Sequence, residues 1–378
     1  MDHSDGQRIR WFVPIIMHTS TIQPLNRPFI NPDLDSVTSS IAYAYLASHL
    51  PSPSPSTLRY IPLIQTYRAD LKLRPENIAA LTASSIPLSS LLTLDDLPSD
   101  LSSLSYVLVD HNKLGELYGG KDNSERVVGV LDHHVDEGLY ETTKLRLIRV
   151  VGSCSSLITT HFISVFLKTT DSEEARRIWT TEVADLLLSA ILIDTSLKPL
   201  AQGGKATEED FTAVQFLIPF SSYQNSLNAR VELEAMNSKL QETKNDVGGM
   251  SGRDLLRRDY KEYPFIGTAS STKKEKYGLA TVPLSFTEWL KKDEEEKGWT
   301  TILEQAKEWM VEKDLIFLGI LTTFGIPKHK DDAGDKAKKS HGRELMIIIR
   351  EDAFTLLPLL EKIEGAEELE LVEKEKGE

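Results

Sequence analysis

Four short stretches of the 378-residue sequence set aspartate and histidine at the ends of apolar runs. They are Asn31-Pro32-Asp33-Leu34-Asp35-Ser36, Asp110-His111-Asn112, Asp132-His133-His134 and Ile193-Asp194-Thr195. Hard carboxylate oxygens mixed with imidazole suit Mn, Co or Mg rather than a thiolate-bound metal. Two such ions about 3.5–4 Å apart need a bridging carboxylate and flanking ligands, and clamp the attacking and departing oxygens of a phosphoryl transfer. Singly, each stretch has an ordinary explanation. D-x-D commonly caps a helix, an isolated D-H-N is usually a loop, and Asp194 could be a buried aspartate satisfied by backbone amides or a cap. A strand-ending D-H-H is more specific, and the four in order, three of them after strand-like runs, point to one functional set.

For these residues to meet, the elements that carry them must end on one side of a sheet. Ser105–Asn112 (SYVLVDHN), Arg126–His134 (RVVGVLDHH) and Leu145–Ser153 (LRLIRVVGS) have the length and β-branched content of buried parallel strands. Helical patterns follow at Ser155–Leu167 and Thr181–Ile193, and another runs from Asp35 to Leu50, opened by an acidic or hydroxyl cap. Strands alternating with helices predict an α/β layer fold with right-handed crossovers, whose ligands sit at the carboxyl ends of the strands. Residues 1–30 show no clear periodicity, Pro51–Ser56 is a low-complexity loop, and Leu81–Leu104 reads as short helical pieces and turns.

After Ser222 the character changes, giving expected domains at 1–222 and 223–378. A charged helical segment, Tyr223–Lys244, leads through a Gly-rich break into DLLRRDYKEY. The strand-like runs Tyr277–Leu284, Leu315–Phe324 and Arg343–Arg350 suggest a smaller α+β domain. Lys328–Lys339 reads as a polar connection between the last two, and the tail from Glu361 as a solvated terminus.

Composition narrows the function classes. With 40% hydrophobic and 26% charged residues the chain is ordinary globular protein, long enough for two cores. A net charge of −14 argues against a general binder of nucleic acid or anionic membrane, yet allows an anionic substrate held locally by metal ions and arginines. Cys154 is the single cysteine, so no intrachain disulfide or cysteine-based zinc site is available. No apolar run approaches the roughly 18 residues of a membrane span. The charged N-terminal stretch MDHSDGQRIR does not resemble a secretory signal. A cytoplasmic protein, monomeric and without nucleic-acid or membrane partners, is expected.

The series D-x-D, D-H-N, D-H-H and a later lone Asp resembles the DHH phosphoesterase superfamily. Within it, D-H-N, LDHHVDEG, GSCSSLI at Gly152–Ile158 and LLRRDYK at Leu255–Lys261 are similar to the exopolyphosphatase branch, related to the prune proteins and family II inorganic pyrophosphatases. The resemblance implies a Rossmann-like parallel-sheet domain, a smaller α+β domain and an active site in the cleft between them. It implies two divalent ions (Mn, Co or Mg): Asp110 bridges them, Asp33 holds one, and Asp35, His133 and Asp194 hold the other. His134 faces the substrate phosphate, and the nucleophile is a water activated by the metals. Arg257, Arg258, Lys261 and Arg343 look like the phosphate clamp, guanidinium forks matching phosphate oxygens. The near-helical spacing of the first three also fits a solvated face with salt bridges. Ser153 and Ser155 precede a helix and either cap it or contact phosphate.

The first motif departs from the family. Phe29 stands four residues before Asp33, where a His or Asn is usual, and Asn31, two residues before Asp33, is a candidate ligand in its place. The expected activity is therefore a metal-dependent exopolyphosphatase that releases orthophosphate from inorganic polyphosphate. Pyrophosphate or a (cyclic) nucleotide is the alternative substrate, and a catalytically impaired binding or regulatory protein the alternative of another class. A serine hydrolase finds no G-x-S-x-G elbow here.

Overall fold

Along Ser105–Val109 (β5) successive side chains point to opposite faces of a sheet, and both faces are buried. Tyr106 and Leu108 join one apolar cluster with Leu104, Tyr118 and Val130, while Val107 and Val109 join another with Leu131, Leu157, Phe162 and Leu188. A strand covered on both sides belongs inside a layered α/β fold. The computed structural model describes residues 10–15, 32–50, 58–166, 172–265, 275–292, 299–325 and 341–350, with Lys362. The chain divides into two units, Met1–Asp246 and Val247–Glu378.

In the first unit the chain runs Arg10–Ile15 (β1), Leu34–Ser48 (α1), Leu58–Tyr60 (β2), Leu63–Ile64 (β3), Pro75–Ala83 (α2) and Leu92–Thr93 (β4). It continues through β5, Val127–Asp132 (β6), Leu145–Ile148 (β7), Cys154–Phe166 (α3), Ser172–Ile178 (α4), Thr181–Thr195 (α5), Glu208–Leu217 (α6) and Ala229–Asn245 (α7). A five-stranded parallel sheet has the order β2-β1-β5-β6-β7, and β3 pairs with β4 in a separate two-stranded ribbon. From β1 the sheet grows in both directions, to β2 on one side and β5 on the other. Such a switch in strand order opens a crevice at the carboxyl ends of the strands. Asp110 follows β5 there, and His133 and His134 follow β6.

The strand β1 corrects the reading of residues 1–30 as lacking periodicity. It pairs with β5 over Phe12–Ile15 and with β2 over Arg10–Phe12. Pro14, which has no amide hydrogen, lies beyond the end of the β2 ladder, so this strand tolerates a residue normally kept out of sheet interiors. Helix α5 carries LLLSAILI and packs on two sides: Leu187, Leu188, Ile191 and Leu192 enter the main core, whereas Leu186, Ala190 and Ile193 meet Leu34, Val37 and Ile64. Apolar all round, it is a buried helix. The helix α7, assigned by its composition to the second domain, buries Leu233 in the main core and Leu240 beside Ile64.

The second unit contains Gly252–Arg258 (α8), Tyr260–Phe265 (β8), Glu275–Val282 (β9), Phe286–Lys292 (α9), Trp299–Lys313 (α10), Phe317–Gly325 (β10) and His341–Ile349 (β11). Its sheet has the order β11-β10-β9-β8: β9 and β10 are parallel, and the two outer pairs are antiparallel. Trp289 and Trp309 are buried among its helices. Pro51–Ser56, Lys328–Lys339 and the tail from Glu361, apart from Lys362, lie outside the described residues.

Candidate metal centre

Asp33 is the N-cap of α1, its Oδ1 accepting the Ser36 amide at 3.0 Å. Two residues on, the buried Asp35 carboxylate accepts Ser39 Oγ of its own helix at 3.4 Å and, more closely, the start of α3. Its donors there are Ser153 Oγ (2.9 Å), the Cys154 amide (2.6 Å), the Ser155 amide (2.9 Å) and Ser155 Oγ (2.6 Å). Helix-start amides favour an anion, and here that anion is a carboxylate of the protein itself. The hydroxyls of Ser153 and Ser155 are thus engaged by Asp35.

Asp110 ends β5 in the left-handed region, φ 62°, an uncommon conformation for a non-glycine residue that turns its side chain into the site. Ser36 Oγ donates to its Oδ2. Oδ1 lies 3.1 Å from His133 Nε2 and 3.8 Å from His134 Nδ1, and among the described residues is otherwise buried without a donor. A buried carboxylate oxygen so poorly satisfied marks a place for a cation. The His133 ring is fixed from behind: Nδ1 donates to the Val151 carbonyl at 3.0 Å, which turns Nε2 towards Asp110 and, at 3.9 Å, Asp35.

The remaining motif residues build the support. Asp132, fully buried, accepts His134 Nδ1 at 2.8 Å and Asn112 Nδ2 at 2.5 Å, while Asn112 Oδ1 accepts the Glu137 amide at 2.9 Å. The D-H-N and D-H-H motifs are therefore joined through Asn112 and Asp132, a link that sequence spacing could not show. His111 Nδ1 lies 2.8 Å from the Val109 carbonyl. Ser36 was likewise not singled out from the sequence. Its signal was a polar run, Ser36, Thr38, Ser39 and Ser40, buried on a helix otherwise packed with Leu and Ala.

Burial and mutual charge shift the titration of these groups. Burial pushes the Asp194 carboxyl well above its ordinary value, and Asp35, Asp33 and Asp110 add to the effect in that order. Asp110 is raised by burial and then by Asp35. Burial works against a charged His133, but the hydrogen bond and charge of Asp110, with Asp35 behind, hold the imidazole above its usual range. His134 is raised chiefly by its hydrogen bond to Asp132. Asp35 and Asp110 both face His133, and Asp33 and Asp194 are close enough for like charge to be felt, a combination that is costly unless cations are supplied. One ligand atom each from Asp110, His133 and His134 lies within 4.8 Å of the others. The set of hard oxygen and imidazole nitrogen fits a divalent metal. Cys154 takes no part: its buried thiol is pushed up by burial first and by Asp110 and Asp35 next.

The structure links Asp35, Asp110, His133 and His134 by contacts within 4 Å, and Asp33 and Asp194 interact electrostatically with that group; Asn31 lies outside the described residues. The basic candidates belong to the second unit. Arg257 and the buried Arg258 end α8, Arg257 lying 3.8 Å from Asp254. Lys261 is on strand β8, so the three do not form one helical face. Lys261 and Arg343 occupy the two edge strands of the sheet, β8 and β11.

A model of the DHH family N-terminal domain matches residues 30–191, and a model of the DHHA2 domain matches residues 238–375. A Schizosaccharomyces pombe protein named as a candidate exopolyphosphatase is 33% identical over 293 residues, covering 76% of this chain and 70% of that protein. The chain belongs to the DHH family. Within it, the chain falls in the exopolyphosphatase branch. Mouse exopolyphosphatase PRUNE1 is 29% identical over 240 residues, 62% of this chain and 48% of its own, so the chain spans about half the length of that relative. A Deinococcus radiodurans protein named as a candidate manganese-dependent inorganic pyrophosphatase is 26% identical over 238 residues, 62% of this chain and 64% of its own. No helix among the described residues is long and apolar enough to cross a membrane.

Proposed function

We propose that the chain hydrolyses phosphoanhydrides, and that its substrate is inorganic polyphosphate, from whose end it releases orthophosphate. The observation that carries this reading is the grouping of His133 and His134 at the poorly satisfied Asp110 Oδ1, with Asp35 3.9 Å from His133 Nε2. The names of the relatives, exopolyphosphatase and inorganic pyrophosphatase, support the reaction class.

Charge balance favours two divalent ions. Four carboxylates carry four negative charges, which one ion would only halve, leaving a site that repels a polyanion. Asp110 would be the ligand the two ions share, Asp33 would hold one, and Asp35, His133 and Asp194 would hold the other. When bound, such ions neutralise phosphate charge and make water a stronger nucleophile. The protein's own groups do the rest. Asp132 holds Nδ1 of His134 as a donor and favours the imidazolium, so the opposite edge of the ring can donate to a phosphate oxygen and stabilise the charge that develops there. Asn112 keeps Asp132 in place. In the second unit, Arg257, Arg258, Lys261 and Arg343 are the candidate phosphate-binding residues, their guanidinium and ammonium groups suiting phosphate oxygens.

A second reading, pyrophosphate as substrate, is favoured by the resemblance to the Deinococcus protein. Phosphate release from long-chain polyphosphate, pyrophosphate and a cyclic nucleotide, measured side by side with Mn, separates the cases. The proposal expects release from long chains; turnover of pyrophosphate alone would move the substrate, and turnover of none would leave a binding protein on an enzyme scaffold.

A further inference from the structure

Asp210, on the first turn of α6, is fully buried and belongs to none of the four motifs. With Thr207 it forms a capping box, its Oδ2 accepting the Thr207 amide and Oγ1 at 2.7 Å each. Capping α6 needs nothing more, yet Asp210 also reaches back to a segment more than fifty residues earlier. Oδ2 accepts the Gly152 amide at 2.9 Å and Oδ1 accepts Ser156 Oγ at 2.7 Å.

Those two contacts bracket the residues that set two of the candidate metal ligands. The Gly152 amide and the Val151 carbonyl belong to one planar peptide unit, its N–H and C=O pointing in opposite directions. The carbonyl of that unit receives Nδ1 of His133 at 3.0 Å, and its N–H is given to Asp210. Accepting charge at one end of a peptide makes the other end a better acceptor, so Asp210 both orients this group and strengthens its hold on the imidazole. Between Gly152 and Ser156 lie Ser153, Cys154 and Ser155, whose hydroxyls and amides fix the Asp35 carboxylate. The approach is close enough to require glycine: a Cβ on Gly152 would lie 2.7 Å from Asp210 Oδ2, 2.5 Å from Thr195 Cγ2 and 2.9 Å from the Lys205 carbonyl.

We propose that Asp210 is a positioning residue for the metal centre, setting His133 through the Val151–Gly152 peptide and Asp35 through the start of α3. The inference rests on the reading of Asp35 and His133 as ligands of one ion. Asp210 touches neither ion nor substrate.

The test is Mn binding to the full chain, titrated by the electron paramagnetic resonance of free Mn, alongside thermal melting of the metal-free protein. Asp210→Asn keeps the size and leaves too few acceptors for the four donors. It is expected to weaken one Mn per chain by about 10-fold or more, the usual effect of losing an outer-shell partner, and to leave the other unchanged. Ala213→Gly, which loosens α6 without touching Asp210, serves as control and is expected to lower melting but not Mn affinity. Ser156→Ala, losing one of the two contacts, is expected to show a smaller weakening and answers the question if Asp210→Asn does not fold. Equal Mn binding in wild type, Asp210→Asn and Ser156→Ala, with melting lowered as in Ala213→Gly, would overturn the proposal and leave Asp210 a plain cap. Asp35→Asn run in parallel separates the two failures: if it too binds Mn like wild type, the metal reading falls and takes the proposal with it.

Discussion

Single residues here carry two duties that substitution can separate. Asp33 caps α1 through Ser36 and also adds its charge to Asp110 and Asp194. Asparagine caps a helix about as well as aspartate, so Asp33→Asn keeps the first duty and removes the second. We expect its metal-free melting temperature to equal or exceed that of wild type, because one of four crowded carboxylates is gone, and its Mn affinity to fall on the order of 10-fold or more. Lower stability with unchanged Mn binding would make Asp33 a cap alone. At this scale the motif aspartates and histidines were legible because carboxylate and imidazole announce metal chemistry by type. Asn112, Asp132 and Ser36 were not legible as supports, since their partners lie on other elements and no spacing reports them.

Elements explain why the legible residues meet. The strands β5 and β6 were readable from near-continuous apolar runs, the mark of a doubly covered sheet, while β7, expected as a buried strand over Leu145–Ser153, is a half-buried edge strand of four residues. The strand β1 was not, because RWFVPI is short and contains a proline that the sheet accepts only past the end of the β2 ladder. Lys261 illustrates the opposite error: its spacing from Arg257 suits a helix, but α8 stops at Arg258 and the chain turns directly into β8. The junction between β7 and α3 leaves little room. Gly152→Ala puts a methyl group into Thr195 and the Lys205 carbonyl, and we expect it to destabilise the chain by about 1–3 kcal/mol in urea unfolding. Unchanged stability would show that this junction has room the structure does not give it.

Across the whole molecule, the two units respond to pH through different groups. In the second unit Lys313 is buried, lies 5.0 Å over the Trp309 ring and 3.6 Å from Glu262, and burial lowers its pKa despite that carboxylate. Between this lowered value and 10.5 the unfolded chain holds a proton that the folded chain has released. Stability conferred through Lys313 therefore rises with pH across that window. Metal-free Lys313→Met should lose the rise, seen as a flatter melting temperature against pH than wild type; parallel curves would contradict it. The second unit as a whole was less legible than the first, because its basic candidates are dispersed: LLRRDYK runs from α8 into β8, and Arg343 stands on the opposite edge strand. The overall charge of −14 was a poor guide as well: the carboxylates proposed as metal ligands are four among 57 acidic residues.

The central claim is that this cluster of carboxylates and imidazoles, organised around Asp110, hydrolyses phosphoanhydrides with divalent metal. The most direct test is orthophosphate release from long-chain polyphosphate with Mn, comparing wild type with Asp110→Asn and with chelator-treated wild type. We predict release by wild type, a loss on the order of 10³-fold or more in Asp110→Asn, and loss with recovery on returning Mn after chelation. Release that persists in Asp110→Asn, or without metal, would contradict the account.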